Sequence, residues 1–479
     1  MLTKSKKAGS EKELGWKRES GWGRISLAER RRLHAYCADY RGFLSAAKTE
    51  REAHDLALDL ARRAGYRDLT ALPDTPGTLG PGAKVYQSCR GRTLLLATVG
   101  RRPLTEGLHI VGGHTDAPRL DAKPNPLYED GGMVLLDTHY YGGIKKYQWV
   151  TMPLAIHGVA VRQDGTRVNI VIGENQDDPV FVITDLLPHL GKEQDKLNLA
   201  EGIKGEGLNV LLGSVPVSDR NAKEKVKLHL LRELWNRFRI KEEDLASADL
   251  EVVPAGPARE LGIDRSMLLG YGHDDRVCAY AALRALLDAK GVPEFTSAVL
   301  LCDKEEVGSV GATGMESTFF ERTVAELMQR CDRDYTEIRL RRGLARSRMI
   351  SADVNAVHDP NYPDVSSPNN MAYLNAGVVV SKYTGGRGKS GSSEASAEFM
   401  AEIRRVFNEN RVIWQTGELG KVDAGGGSTI AAFLAHYGMD VVDCGVGLLS
   451  MHAPWEVAGK LDIYMAYRGY QAFLAHRHE

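Results

Sequence analysis

Ser297-Ala-Val-Leu-Leu-Cys-Asp-Lys-Glu-Glu-Val-Gly-Ser309 is an apolar run that ends abruptly in four charged residues. Nothing polar interrupts residues 299 to 302, and a β-branched residue opens them, so they read as a strand buried on both faces. Ligands of open α/β sheets bind in the crevice outside the carboxyl ends of the strands. Charge that begins where such a strand ends therefore marks a candidate site. Glu305 and Glu306 are adjacent, and in an extended segment adjacent side chains point to opposite sides. The expectation is that one holds a metal ion while the other faces a bound water. A solvated acidic loop is the competing reading, and the rest of the chain decides between them.

At 479 residues the chain is too long for one ordinary core, which predicts two domains or one domain with a large insertion. An apolar fraction of 43% is ample for burial, and a formal net charge of −1 argues against a nucleic-acid or membrane-surface partner held by bulk electrostatics. Cys37, Cys89, Cys278, Cys302, Cys331 and Cys444 form no C-x-x-C pair, which fits reduced thiols in a cytoplasmic protein. No uninterrupted apolar stretch reaches the roughly 18 residues of a membrane-spanning helix. Lys4, Lys6 and Lys7 open the chain without an apolar segment behind them, so residues 1 to 25 read as a flexible basic tail rather than a secretory signal.

Two helices are predicted next, each opened by a capping-box sequence, Ser26-Leu-Ala-Glu29 and Thr49-Glu-Arg-Glu52. The second places Ala53, Leu56, Ala57, Leu60, Ala61 and Ala64 on one face, with Gly65 as its C-cap. Residues 93 to 99 and 108 to 111 read as strands, the latter running into Gly112-Gly-His-Thr-Asp-Ala-Pro118. From 119 to 256 the texture becomes β-rich, interrupted by a polar glycine-rich middle and one amphipathic helix at about 223 to 238, and is read as an inserted domain. From Met267 strands and helices alternate again, the signature of a mostly parallel sheet flanked by helices, closing with a helix over about 457 to 475. The fold class is thus α/β, with a catalytic domain formed by residues 26–118 and 257–479.

Five places put a potential metal ligand at the end of an apolar strand or the start of the following helix: His114, Asp274, Glu305 with Glu306, Asp353 and His452. Zinc and its neighbours take His nitrogen and carboxylate oxygen, and a hydrolytic site leaves a coordination position open for water. Two metals about 3.5–4 Å apart need one carboxylate that serves both, plus terminal ligands on each side. Singly, each residue has a bland explanation: a loop histidine, a helix N-cap, a turn before Pro454. Asp116, two residues beyond His114, is more telling, because metal-bound histidines commonly donate their second ring N–H to a carboxylate.

His-Thr-Asp, Gly-His-Asp-Asp-Arg, Asp-Lys-Glu-Glu-Val-Gly-Ser, Ser-Ala-Asp-Val-Asn and Ser-Met-His-Ala-Pro-Trp-Glu together resemble the ordered motifs of the M18 aminopeptidases, the aspartyl aminopeptidase family. Met152-Pro-Leu-Ala-Ile-His157 and Arg387-Gly-Lys-Ser-Gly-Ser-Ser-Glu394 are similar to bacterial members in particular. The resemblance implies a zinc-peptidase-like catalytic domain and a dinuclear site with a bridging water, holding two divalent ions per subunit, Zn²⁺ or alternatively Co²⁺ or Mn²⁺. Asp274 would bridge the ions, His114 and Asp353 would complete one, and Glu306 and His452 the other. Glu305 would be the general base and Asp116 the partner of His114. The likeness further implies peptide substrates and a tetrahedral dodecamer built from dimers joined through the inserted domain, with His157 reaching a neighbouring subunit's substrate pocket.

The chain departs from the eukaryotic pattern at Ala356, where those enzymes carry a pocket histidine, so selectivity for an N-terminal Asp or Glu is open. Lys382 is the candidate to meet a substrate carboxylate, with Arg387 and Lys389 as alternatives. Asp275 replaces an asparagine, and its added negative charge would favour a harder ion. Asp423-Ala-Gly-Gly-Gly-Ser428 lacks the Lys-Ser/Thr ending of a phosphate-binding loop, and the serines at 390 and 392 lack a nucleophile-elbow context. The reading is a metal-dependent aminopeptidase. Its alternatives are a related dinuclear amide hydrolase of different terminus or residue preference, and an assembled binding protein without catalysis.

Overall fold

The computed structural model describes residues 14–477. Its main sheet has nine strands. Four of them, Thr296–Cys302, Leu108–His114, Arg348–Ser351 and Asp440–Gly445, lie side by side and parallel in that order. Thr93–Thr98 and Val378–Ser381 border this group in antiparallel pairing. The sheet is therefore parallel at its centre and mixed toward its edges.

The period of two explains why the central run tolerates so little polarity. Val299 and Leu301 enter one core layer, which the helices Leu27–Ala46, His273–Leu287 and Lys460–Leu474 also fill. Ala298, Leu300 and Cys302 enter the opposite layer, against Phe319–Cys331 and Glu337–Ala345. The strand starts earlier than its apolar run because Thr296 and Ser297 are satisfied locally. Thr296 Oγ1 accepts from the Gly100 amide at 3.1 Å, and Ser297 Oγ donates to the Leu474 carbonyl at 3.0 Å.

Both predicted helix starts are present. The Ser26 hydroxyl accepts from the Glu29 amide, and Thr49 with Glu52 forms the full reciprocal capping box of helix Glu50–Arg63. Two expectations need correction. Residues 1–13 of the expected tail lie outside the described residues, but Gly21–Gly23 is a 3-10 turn whose first amide donates to the Asn375 carbonyl, and Gly21 and Ile25 are buried against the body. The closing helix begins at Lys460, because Glu456–Gly459 is a strand of a five-stranded sheet, paired with Met267–Gly270 and Gly447–Leu449.

All strands of a six-stranded antiparallel sheet come from residues 119–254, in the order Arg167–Ile172, Leu154–Val161, Ala248–Pro254, Arg119–Asp130, Met133–Tyr141, Val210–Gly213. It has its own core around Trp149, Leu154, Ile156 and Val252. Buried charge ties it to the rest of the chain. Arg119 lies 3.2 Å from both Glu50 and Glu251, and Arg92 lies 3.2 Å from Glu50.

His157 belongs to this seam. It is 3% exposed, and its Nδ1 and Nε2 lie 2.8 and 3.0 Å from carboxylates of Glu52 and Glu174. Burial opposes charging of the ring, but the two carboxylates win and raise its pKa above the usual histidine value. Within the protomer, then, both ring nitrogens are already engaged, and the residue does not line the cavity bounded by Asp274, Glu305 and His452. His157→Ala should cost about 3 kcal/mol by removing the cation that Glu52 and Glu174 share, of which only Glu174 keeps another in Lys48, read as a lowered unfolding midpoint in chemical denaturation.

Candidate metal centre

The parallel centre of the sheet delivers its strand ends to one place. His114 ends Leu108–His114, Glu305 and Glu306 follow Thr296–Cys302, and Asp353 follows Arg348–Ser351. His114 Nε2 lies 3.2 Å from Asp274 Oδ1, and His452 Nε2 lies 3.2 Å from Asp274 Oδ2. One carboxylate thus faces two histidines with one oxygen each. Glu306 Oε2 is 3.5 Å from His452 Nε2, and Glu305 Oε2 is 3.9 Å from His114 Nε2. Ligand atoms of His114, Asp274 and Glu306, and again of His114, Asp275 and Asp353, all lie within 4.8 Å of one another.

The expected opposition of Glu305 and Glu306 does not arise from an extended chain. Residues 305–307 form a 3-10 turn entered through Lys304 at φ +68°. Asp116 imposes it: its two carboxylate oxygens accept from the Glu305 and Glu306 amides at 3.2 Å each. The two glutamates differ instead in which histidine they meet. Asp116 also sits beside His114, whose Nδ1 is 3.0 Å from the Asp116 carbonyl and 3.3 Å from its carboxylate. The Tyr141 hydroxyl donates to the same carboxylate at 2.8 Å.

Asp275 is fully buried against the strand end, where its carboxylate accepts from the His114 amide at 3.3 Å. A Cβ on Gly113 would stand 2.7 Å from that carboxylate, so glycine there admits it. Burial pushes the Asp275 carboxyl well above the usual carboxylate range.

Glu456 is a contributor that the sequence did not single out. Its carboxylate accepts from the Asp274 amide at 3.1 Å and the His452 amide at 2.8 Å, locking together two turns that carry ligands. His452 sits at φ +64°, a conformation costing a non-glycine residue roughly 1 kcal/mol, and the bond to Glu456 holds it there.

The electrostatics describe a set of donors short of a cation. Burial and the neighbouring Asp274 push Glu305 up to about 7, and the same causes raise Glu306 well above the usual carboxylate range. Burial and Asp275 raise Asp353. Asp274 goes the other way: burial opposes it, but contacts with the two histidines hold it well below the usual range. Glu306 Oε1 and Asp275 Oδ1 are buried with no hydrogen-bond partner. Unpartnered carboxylate oxygens beside two imidazole nitrogens fit divalent zinc-type ions.

The cluster opens into a cavity of about 790 Å³ lined by Asp274, Glu305, Glu306, Asp353 and His452, and farther out by Tyr383, Arg387, Lys389, Leu419 and the glycine-rich loop. Lys382 is exposed and does not line it. Lys389 lies 3.4 Å from Glu394, with its ammonium over the Tyr383 ring, whereas Arg387 pairs with no described residue. All six cysteines are unpaired, and no described helix is long and apolar enough to cross a membrane.

His114 at the end of a central parallel strand and His452 on the turn after Gly447–Leu449, both facing the Asp274 carboxylate, make the donor set of a zinc-type metal centre. Residues 43–474 match the family described as Aminopeptidase I zinc metalloprotease (M18). The chain belongs to the M18 family and is a metallo-aminopeptidase. It is 53% identical over 435 residues to the probable M18 family aminopeptidase 1 of Clostridium acetobutylicum, covering 91% of this chain and 93% of that one. The crystal structure of aminopeptidase I from that organism superposes with a TM-score of 0.91, at 48% identity and coverage of 97% and 100%. The M18 aminopeptidase structure from Thermotoga maritima gives 0.90 at 42% identity, covering 96% and 99%. The S. cerevisiae mApe1 dodecamer shares the fold at 22% identity, with a TM-score of 0.74 and coverage of 92% and 96%.

Proposed function

We propose that the chain removes the N-terminal residue of peptides at a centre of two divalent ions, one held by His114, Asp274 and Asp353 and the other by Asp274, Glu306 and His452. The observation that carries this reading is Asp274, whose two oxygens each face a different histidine at 3.2 Å. When bound, the ions supply a Lewis acid for the scissile carbonyl and acidify water near neutral pH. Glu305 takes the proton of the attacking water, whose oxygen bonds the carbonyl carbon, and returns it to the departing amine as the C–N bond breaks. Burial and Asp274 raise this carboxyl to about 7 before any cation is counted, toward the range a proton shuttle needs. Asp116 sets the positions of both His114 and the turn that carries Glu305.

We assign the acidic side chain of a preferred first residue to Arg387 in place of Lys382: it shares the cavity wall with Lys145 and Lys421, none of the three paired with a described carboxylate, and its planar fork matches a carboxylate with two bonds. Hydrolysis of Asp-, Glu-, Leu- and Lys-p-nitroanilides by chelator-stripped protein resupplied with Zn²⁺, Co²⁺ or Mn²⁺ tests both parts. Metal-dependent release with Asp or Glu favoured, and that preference lost in Arg387→Ala, is the expected outcome. Release without added metal would overturn the metal centre, and equal rates on all four substrates would overturn the role of Arg387.

Residues 119–256 are proposed as an inserted domain that joins subunits. Val180, Leu186, Leu187, Leu190, Leu197 and Leu199 are all exposed within one stretch of it, a surface that a second copy would cover. Light scattering on a sizing column should report a mass well above 52.6 kDa, and a monomer would remove the proposal.

A further inference from the structure

Both histidines of the proposed centre are oriented from one short stretch. Tyr141 ends strand Met133–Tyr141 of the six-stranded sheet, and Gly142 and Gly143 follow it. The Tyr141 hydroxyl donates to Asp116 Oδ2 at 2.8 Å, on the carboxylate that lies beside His114 Nδ1 and receives the Glu305 and Glu306 amides. The Gly143 carbonyl accepts from His452 Nδ1 at 2.9 Å. Between them, a Cβ on Gly142 would stand 3.4 Å from the Glu306 Cβ, and one on Gly143 would stand 3.3 Å from His452 Nδ1. Three consecutive residues, the last of one strand and the two that follow it, therefore touch the surroundings of His114, Glu306 and His452. The stretch is itself anchored, because the Arg119 guanidinium covers the Tyr141 ring at 3.9 Å and is buried between Glu50 and Glu251.

We propose that Tyr141-Gly142-Gly143 is a positioning segment through which the six-stranded sheet sets the geometry of both halves of the metal centre. The inference rests on the ligand assignment above. The physical ground is that a hydrogen bond to the far ring nitrogen fixes the tautomer and rotation of a metal-binding histidine, leaving Nε2 to present its lone pair. For His452 that partner is the Gly143 carbonyl directly. For His114 it is Asp116, whose carbonyl lies 3.0 Å and whose carboxylate lies 3.3 Å from Nδ1, and Tyr141 holds that carboxylate. Metal affinity then depends on how the six-stranded sheet sits against the catalytic strands, and a shift of that sheet changes both histidines together.

Tyr141→Phe in the full-length protein keeps the ring under Arg119 and removes only the hydroxyl. Three quantities should be measured: zinc affinity by competition with a chromophoric chelator, the visible absorption of the Co²⁺-substituted protein, and thermal unfolding of the metal-stripped protein. We expect zinc binding weakened 10- to 100-fold and an altered Co²⁺ spectrum, beside a lowering of the metal-free unfolding midpoint no larger than the loss of one buried hydrogen bond brings. A lowered metal-free midpoint with the Co²⁺ spectrum and zinc affinity of the parent would mean a merely structural tyrosine and overturn the proposal. Gly143→Ala, which leaves Tyr141 intact and presses a methyl group on His452, is the second variant. It should weaken binding of one metal equivalent, and parental binding of both would also overturn the proposal. Asp274→Ala in the same assay separates the two levels. If it loses metal while Tyr141→Phe behaves as the parent, only the positioning role falls; if it keeps both ions, the ligand assignment falls and the positioning role with it.

Discussion

Asp274→Ala should lose both metal ions and at least about three orders of magnitude in kcat/KM. The carboxylate faces His114 with one oxygen and His452 with the other, so no remaining side chain spans the two halves. Metal ions in such sites supply several kcal/mol of transition-state stabilisation, and each 1.36 kcal/mol is about tenfold in rate. The alanine also removes a buried negative charge that the two histidines hold ionised, which leaves His114 to Asp116 and Glu305, and His452 to Glu306, with no carboxylate shared between them. Metal analysis after dialysis should find less than one equivalent per chain. Two equivalents retained, or turnover within tenfold of the parent, would eliminate Asp274 as the shared ligand.

Glu305→Gln should behave in the opposite way toward metal. Glu305 touches the centre only at 3.9 Å through His114, and its backbone, not its carboxylate, is what Asp116 holds. Metal content should stay at the parental value while kcat falls by about 10²- to 10⁴-fold, the usual worth of a general acid–base. The pH profile gives the sharper test. A base must be ionised to act, so parental kcat/KM rises with pH through the Glu305 pKa, which burial and Asp274 place at about 7 before any cation is counted. Divalent ions close by favour the carboxylate, so the acidic limb should lie at or below that value. In Glu305→Gln this limb should disappear. A parental limb surviving in the glutamine variant would assign the proton transfer to another group.

The ligand-bearing strand ends were readable because an apolar run buried on two faces cannot hold charge until it stops. The sudden change after Cys302, after Gly113 and after Ala352 therefore marks both the sheet and its catalytic edge. What orients those ligands was not readable, since it arrives from elsewhere in the chain. Glu456 ends a motif that reads as the approach to a helix, and only its pairing with Met267–Gly270 turns it toward the Asp274 and His452 amides. Tyr141 and Gly143 carry no local sign of reaching a second sheet's site. Lys382 and Arg387 are close in sequence and both exposed, but of the two only Arg387 lines the cavity. His157 likewise looks the same in sequence whether it meets a substrate or the carboxylates of Glu52 and Glu174.

The five proposed ligands stand at 114, 274, 306, 353 and 452, on strands and turns that become neighbours only when the central sheet is complete. A chain still emerging from the ribosome, or one cut anywhere before His452, lacks at least one of them. On the proposed assignment, then, the centre comes together only once the strands of both the central and the five-stranded sheet have docked.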